Sequence, residues 1–154
     1  KEGLEFVNDI VGGVIPREFI PAIQKGFEQS MSNGPLAGYQ IDSMKVRLFH
    51  GSFHDVDSDS LSFELAARIG FREAAKKCGP QLLEPIMKGM DTRSGAQVIK
   101  ADVPLSELFG YVTDLRTITS GRASASLTFS HYSPVPKNLA EKVIEEVKGA
   151  ALAK

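Results

Sequence analysis

Ile41-Asp-Ser-Met-Lys-Val-Arg-Leu-Phe49, Gly51-Ser-Phe-His-Asp-Val-Asp-Ser58 and the run from Leu61 to Ala74 decide the fold, because three different patterns follow one another. In the first, Met44, Val46 and Leu48 alternate with Lys45, Arg47 and Phe49. That two-residue repeat predicts a half-buried strand with two cationic side chains on its solvent face. In the third, Leu61, Leu65 and Ile69 form one helical series and Phe63, Ala67, Gly70, Phe71 and Ala74 another. Together they predict a long helix with a wide buried face, ended by Gly79-Pro80. The polar loop between them leads into that helix through Asp and Ser residues. These can accept hydrogen bonds from the unpaired N–H groups of its first turn and complement its dipole.

Working outward, Gly3-Leu-Glu-Phe-Val-Asn-Asp-Ile10 alternates as a strand does, and it opens in mid-pattern as if cut from something longer. Val11-Gly-Gly-Val-Ile-Pro16 reads as a turn. Phe19, Ile23, Phe27 and Met31 give an amphipathic helix that stops at Asn33-Gly34-Pro35. On the other side, Leu82-Leu-Glu-Pro-Ile-Met-Lys88 leads to a polar turn over Gly89 to Gly95 and a strand from Gln97 to Val103. Pro104 is expected to begin a helix with Leu108, Val112, Leu115 and Ile118 inward, closed by Ser120-Gly121. A strand from Ala123 to Tyr132, a rigid linker Ser133-Pro-Val-Pro136 and a last helix capped by Asn138 complete the chain; Leu139, Val143, Ile144 and Val147 face inward on that helix. The alternation of strands and helices predicts an α+β chain of small two-layer units, with a boundary near residues 80–88.

The 154 residues are 42% hydrophobic and 24% charged, as in an ordinary globular polypeptide. A net charge of −1 removes the global basicity of non-specific nucleic-acid binders, so any such contact is expected to be local. One cysteine, Cys78, cannot make an internal disulfide, and no signal-like N-terminus or membrane-length apolar run occurs; an intracellular protein is expected.

Tests for chemistry are mostly negative. No Gly-Lys-Ser/Thr loop for phosphate and no Gly-x-Gly-x-x-Gly occurs. Asp55-x-Asp57-x-Asp59 matches the start of a calcium loop, but Ser60 stands where glycine is needed and Ala66 where a bidentate glutamate is needed. Helix capping accounts for these aspartates. His50, His54 and His131 do not fall at zinc spacings. Ser52, His54 and Asp55 imitate a hydrolytic triad, yet neighbours on one loop rarely reach triad geometry. A loop offering an aromatic ring, an imidazole and short polar groups suits contact with RNA backbone or unstacked bases.

Ile10-Val-Gly-Gly-Val-Ile-Pro-Arg-Glu-Phe-Ile-Pro21, Asn33-Gly-Pro-Leu-Ala-Gly-Tyr39, Gly51 to Ser58, Leu82 to Lys88, Pro104-Leu-Ser-Glu-Leu-Phe-Gly-Tyr-Val-Thr-Asp-Leu-Arg116 and Ser130-His-Tyr132 together resemble the bacterial elongation factor G family, in that family's order. The resemblance implies that residues 1–83 are domain IV, of the ribosomal protein S5 domain 2 type and without its first strand. Residues 84–135 would be an incomplete ferredoxin-like domain V, lacking a strand-helix segment between Lys88 and Gly89. Residues 136–154 would be a helix that packs back on domain IV.

It further implies a C-terminal, ribosome-binding fragment of a translational GTPase that promotes movement of tRNA and mRNA during protein synthesis. The domain IV tip, which enters the ribosomal A site, matches Ser52, Phe53, His54, Asp55, Val56 and Asp57, placing them against tRNA and ribosomal RNA. Tyr111, Arg116, Thr117, Ser120 and Arg122 match the rRNA-facing part of domain V. The implied partners are the ribosome, through 16S and 23S rRNA, and tRNA. No membrane is implied, and a cytoplasmic monomer is expected. No catalytic residue, metal or cofactor is expected here, since GTP and magnesium belong to the family's G domain. The alternatives are a tetracycline ribosome-protection protein, a recycling-specialised paralogue, a stand-alone hydrolase built on the His54 loop, and a purely structural interaction domain.

Overall fold

A computed structural model describes residues 3–90 and 99–152. The chain divides into two compact units, Lys1–Pro80 with Val143–Lys154, and Gln81–Lys142. Among the described residues no helix is long and apolar enough to cross a membrane.

In the first unit β1 (Gly3–Asn8) and β2 (Ser43–Leu48) pair in parallel, with Leu4 beside Met44 and Phe6 beside Val46. The chain between them forms a 3-10 turn, Arg17–Phe19, and α1 (Ile20–Ser30), whose start carries Pro21 where a missing N–H costs nothing. α2 (Ser60–Lys77) follows β2 and packs along α1. Ile15, Ile23 and Ala67 form the buried centre, surrounded by Phe6, Ile10, Phe19, Ile20, Phe27, Leu48 and Phe63. Alternation on the strands thus supplies one apolar face and the helical periods supply the layer that covers it.

One expectation changes here. Of the wide apolar face read on α2, Ala67 and Phe71 are buried, whereas Leu61 and Ile69 are more than half exposed. α1 docks on one stripe of α2 and leaves the other outward. The cationic face of β2 is exposed as expected, and both of its cations have acidic partners. Lys45 pairs with Glu5 at 2.7 Å and Arg47 with Asp9, because the parallel register sets Glu5 of β1, and Asp9 just beyond its end, alongside β2.

In the second unit β3 (Leu83–Met90) lies between β4 (Ala101–Pro104) and β5 (Ser126–Pro134), antiparallel to both. β4 and β5 are therefore parallel to each other across β3, joined through α3 (Tyr111–Ile118). This is a split βαβ unit. Ile86 and Leu108 are its buried apolar side chains among the described residues. A bulge shifts the register so that Ile86 faces His131 and Met87 faces Phe129, with Ser130 as the extra residue. Phe129 and Tyr132 consequently lie side by side, ring centroids 5.2 Å apart.

The expected turn at Gly89 is strand instead: Lys88 and Gly89 are consecutive β3 residues, paired with Asp102 and Ala101 on one side and with Thr128 and Leu127 on the other. The turn expected over residues 91–95 and the strand residues Gln97 and Val98 lie outside the described residues.

The helix expected from Pro104 is divided. Pro104 closes β4, Leu105–Leu108 forms a 3-10 turn, and Phe109 is extended (ψ 117°). Gly110, at φ 86°, then restarts the chain as α3; a side chain there would be strained. Ile118, expected inward, is 81% exposed. α3 ends in a Schellman motif, with Gly121 N–H donating to Arg116 O (2.8 Å) and Ser120 N–H to Thr117 O (3.3 Å). The left-handed position is held by Ser120, at φ 52°. α4 (Lys137–Leu152) follows β5, and its residues from Val143 onward belong with the first unit.

Candidate functional site

The loop joining β2 to α2 is bonded to itself. His54 O accepts from the N–H groups of both Asp57 (3.2 Å) and Ser58 (3.0 Å), and His54 N–H donates to Ser58 Oγ (3.0 Å). These bonds use backbone and Ser58, leaving the side chains of His54, Asp55, Val56 and Asp57 outward. All four residues are exposed, Val56 at 93%. Ser52 is exposed as well.

Phe53 is placed differently. It is half-buried, its ring stacked on Phe19 with centroids 5.7 Å apart, and Phe19 stacks in turn on Phe63 at 5.0 Å. The loop thus presents an imidazole, two carboxylates and one apolar group at its apex, above an aromatic footing.

Asp59 closes the loop as the N-cap of α2, its Oδ1 accepting from Ser62 N–H at 2.6 Å. The hydrogen bonds of Ser62, from its hydroxyl and its backbone N–H, hold the Asp59 carboxyl below its ordinary pKa. A carboxylate depressed in the folded state stabilises it above the unfolded pKa, and this contribution is lost as pH falls through the folded one. Asp59→Asn keeps a capping oxygen but removes the titration. Its unfolding midpoint is expected to fall less on acidification below about pH 4 than that of the parent chain, as a thermal melt series would show.

The hydrolytic alternative finds no geometry. The groove beside the loop is lined by Ser52, Ser58, Ser62, Phe63 and Ala66, and holds about 150 Å³. That is below the ~300 Å³ usual for small-ligand pockets, and His54 is not among its lining residues. Among the described residues, no group of three His, Cys, Asp or Glu side chains could hold a metal ion.

In the second unit Tyr111 opens α3, Arg116 and Thr117 lie in its last turn, and Ser120 and Arg122 follow in the Schellman loop. All five are exposed. The motif gathers the last four at the C-terminal end of the helix, away from Tyr111, because Thr119 Oγ1 accepts from Ala123 N–H (3.1 Å) and donates to Leu115 O (2.6 Å), folding the chain back. Thr119 itself went unread in the sequence; a threonine one residue before Ser-Gly at a helix end was its only signal.

The two units define mixed α/β small domains. A sequence profile for elongation factor G, domain IV, matches residues 1–79, and one for the elongation factor G C-terminus matches residues 81–143. The chain belongs to the elongation factor G family. Elongation factor G of Cytophaga hutchinsonii is 64% identical over 179 positions, covering all of this chain and 26% of that protein. The same factor from Amoebophilus asiaticus is 63% identical over 174 positions, covering 97% of this chain and 24% of that protein. The chain therefore spans about a quarter of the length of these relatives. A crystal structure of a protein from Thermus thermophilus superposes with a TM-score of 0.82 at 31% identity, over 96% of this chain and 26% of that one.

Proposed function

We propose that this chain is the ribosome-facing C-terminal part of a translocation factor, working in the cytoplasm where ribosomes translate. What carries the reading is family membership over the whole chain together with a loop whose outward side chains are not used to hold it. Ser52, His54, Asp55, Val56 and Asp57 contact tRNA and ribosomal RNA by hydrogen bonds and shape, without proton transfer. Tyr111, Arg116, Thr117, Ser120 and Arg122 face large-subunit rRNA, where Arg116 supplies a planar cation for phosphate or for stacking on a base. The small net charge suits an arm that must also leave RNA, since strongly cationic surfaces bind it everywhere.

The test is His54→Ala, and deletion of His54 to Asp57, in the full-length factor. Translocation is expected to slow about tenfold, the equivalent of one or two lost hydrogen bonds in the transition state. Ribosome-stimulated GTP hydrolysis and the unfolding midpoint should stay as in the parent. Normal translocation in both variants would refute the assignment.

A further inference from the structure

We propose that Phe53 is a positioning residue: its ring holds the His54–Asp57 apex in place by stacking on Phe19 and touches no RNA itself. This rests on the reading of the loop as an RNA-contacting tip.

The loop stands on two footings. Gly51 sits against Ile15, so closely that an added Cβ would lie 2.4 Å from Ile15 Cδ1. Phe53 lies two residues further on, its ring against Phe19 at an interplanar angle of 30°. Phe19 ends the 3-10 turn that leads into α1, and Phe63 belongs to the first turn of α2. Three stacked rings thus join the loop, the start of α1 and the start of α2 at one place. Phe19 and Phe63 also pack against the buried Ile15, Ile23 and Ala67, which ties the stack to the core.

Above Phe53, the hydrogen bonds to His54 O and Ser58 Oγ make the apex a closed turn. Such a turn is stiff within itself but can still tilt as a body. The ring of Phe53 opposes the tilt, because stacked aromatic rings have a preferred offset and spacing and lose contact area when they slide. An apex already held in its bound pose loses less freedom on docking. Phe53 is half-buried in this contact, whereas the residues on its apex side are all exposed. One side chain per role is the division of labour: Phe53 holds, and His54 to Asp57 touch.

Three variants of the full-length factor, Phe53→Ala, Phe53→Tyr and Ile23→Val, separate holding from touching and from general stability. Hydrogen exchange at Asp57 and Ser58 N–H reads the apex directly. It should quicken about tenfold in Phe53→Ala and stay near the parent in Phe53→Tyr, which keeps the ring. Ile23→Val, a core change of modest cost, should leave both amides and translocation unaltered. Translocation should slow in Phe53→Ala, with GTP hydrolysis unchanged, and recover in Phe53→Tyr.

Unchanged exchange in Phe53→Ala would overturn the inference, as would failure of Phe53→Tyr to restore translocation. If the amides quicken but translocation stays normal while His54→Ala slows it, the holding role falls and the tip reading stands. If His54→Ala is also without effect, the tip reading falls and takes this inference with it.

Discussion

Gly26→Val is expected to destabilise the first unit by about 3 kcal/mol, lowering its unfolding midpoint by roughly 10–20 °C for a unit of this size. Gly26 is buried where α1 crosses α2. A Cβ there would lie 2.6 Å from Glu64 O and 2.8 Å from Ala67 Cβ. The first obstacle is a helix backbone carbonyl, which cannot rotate aside as a side-chain end can, so one helix must back away from the other. Retreat opens the packing around Ile23 and Ala67 and parts the Lys25–Glu64 ion pair, 3.0 Å across the same crossing. The Lys25 end of that pair is in solvent while Glu64 is largely covered, so the pair is partly screened and lost packing dominates. Valine recovers at most a few tenths of a kcal/mol from leaving glycine in a helix, too little to offset the clash. Gly26→Ala should have the same sign and about half the size, since alanine regains about 1 kcal/mol of helix propensity. Thermal or urea unfolding of the chain measures both, and a Gly26→Val midpoint equal to the parent's would show that the two helices can separate without loss.

Gly51→Val should cost about 2 kcal/mol and disturb the RNA-facing loop as well. Its Cβ would meet Ile15 Cδ1 at 2.4 Å and Cγ1 at 2.9 Å. A side-chain terminus would ordinarily yield, but Ile15 is only 3% exposed and lies in the middle of the core cluster. Its branched side chain has few rotamers, and all its neighbours are already packed. Either Ile15 gives up core contacts or the base of the loop lifts. Both outcomes destabilise, and the second also moves His54 to Asp57. Unfolding of the chain reads the first effect, and hydrogen exchange at Asp57 and Ser58 N–H reads the second. An unchanged midpoint would mean that Ile15 moves without cost.

Period and punctuation located most elements. Strands at Gly3–Asn8 and Ser43–Leu48 and the long α2 lie where alternation, i, i+4 spacing and capping residues put them, because those patterns are imposed by the element's own backbone. The last helix is present too, but it starts at Lys137, so Asn138, expected as its cap, lies within its first turn, Pro136 O accepts the first bonds, and Leu139 is exposed. Asp59 as a cap belongs to the same class: the residue and the N–H it serves are three positions apart in one turn. The split of the expected helix after Pro104 was missed because Gly110 can sit in a helix or at positive φ, and its neighbours' packing selects between them. Gly89 was missed for a related reason, since a glycine after a strand reads as a turn until two flanking strands are seen to pair with it.

Of the loop, the sequence by itself determined the content: which groups are polar, which is a ring, and where a helix must begin. The tertiary structure alone decided their roles. Phe53 became a footing because Phe19, 34 positions earlier, arrives beneath it. Lys45 and Arg47 became partners of Glu5 and Asp9 because a parallel register aligned two strands far apart in the chain. Leu61 and Ile69 stayed outward because α1 reached the other stripe of α2. Local patterns record what a segment can bury. What it does bury depends on which distant segment comes to lie against it, and no periodicity within the segment carries that information.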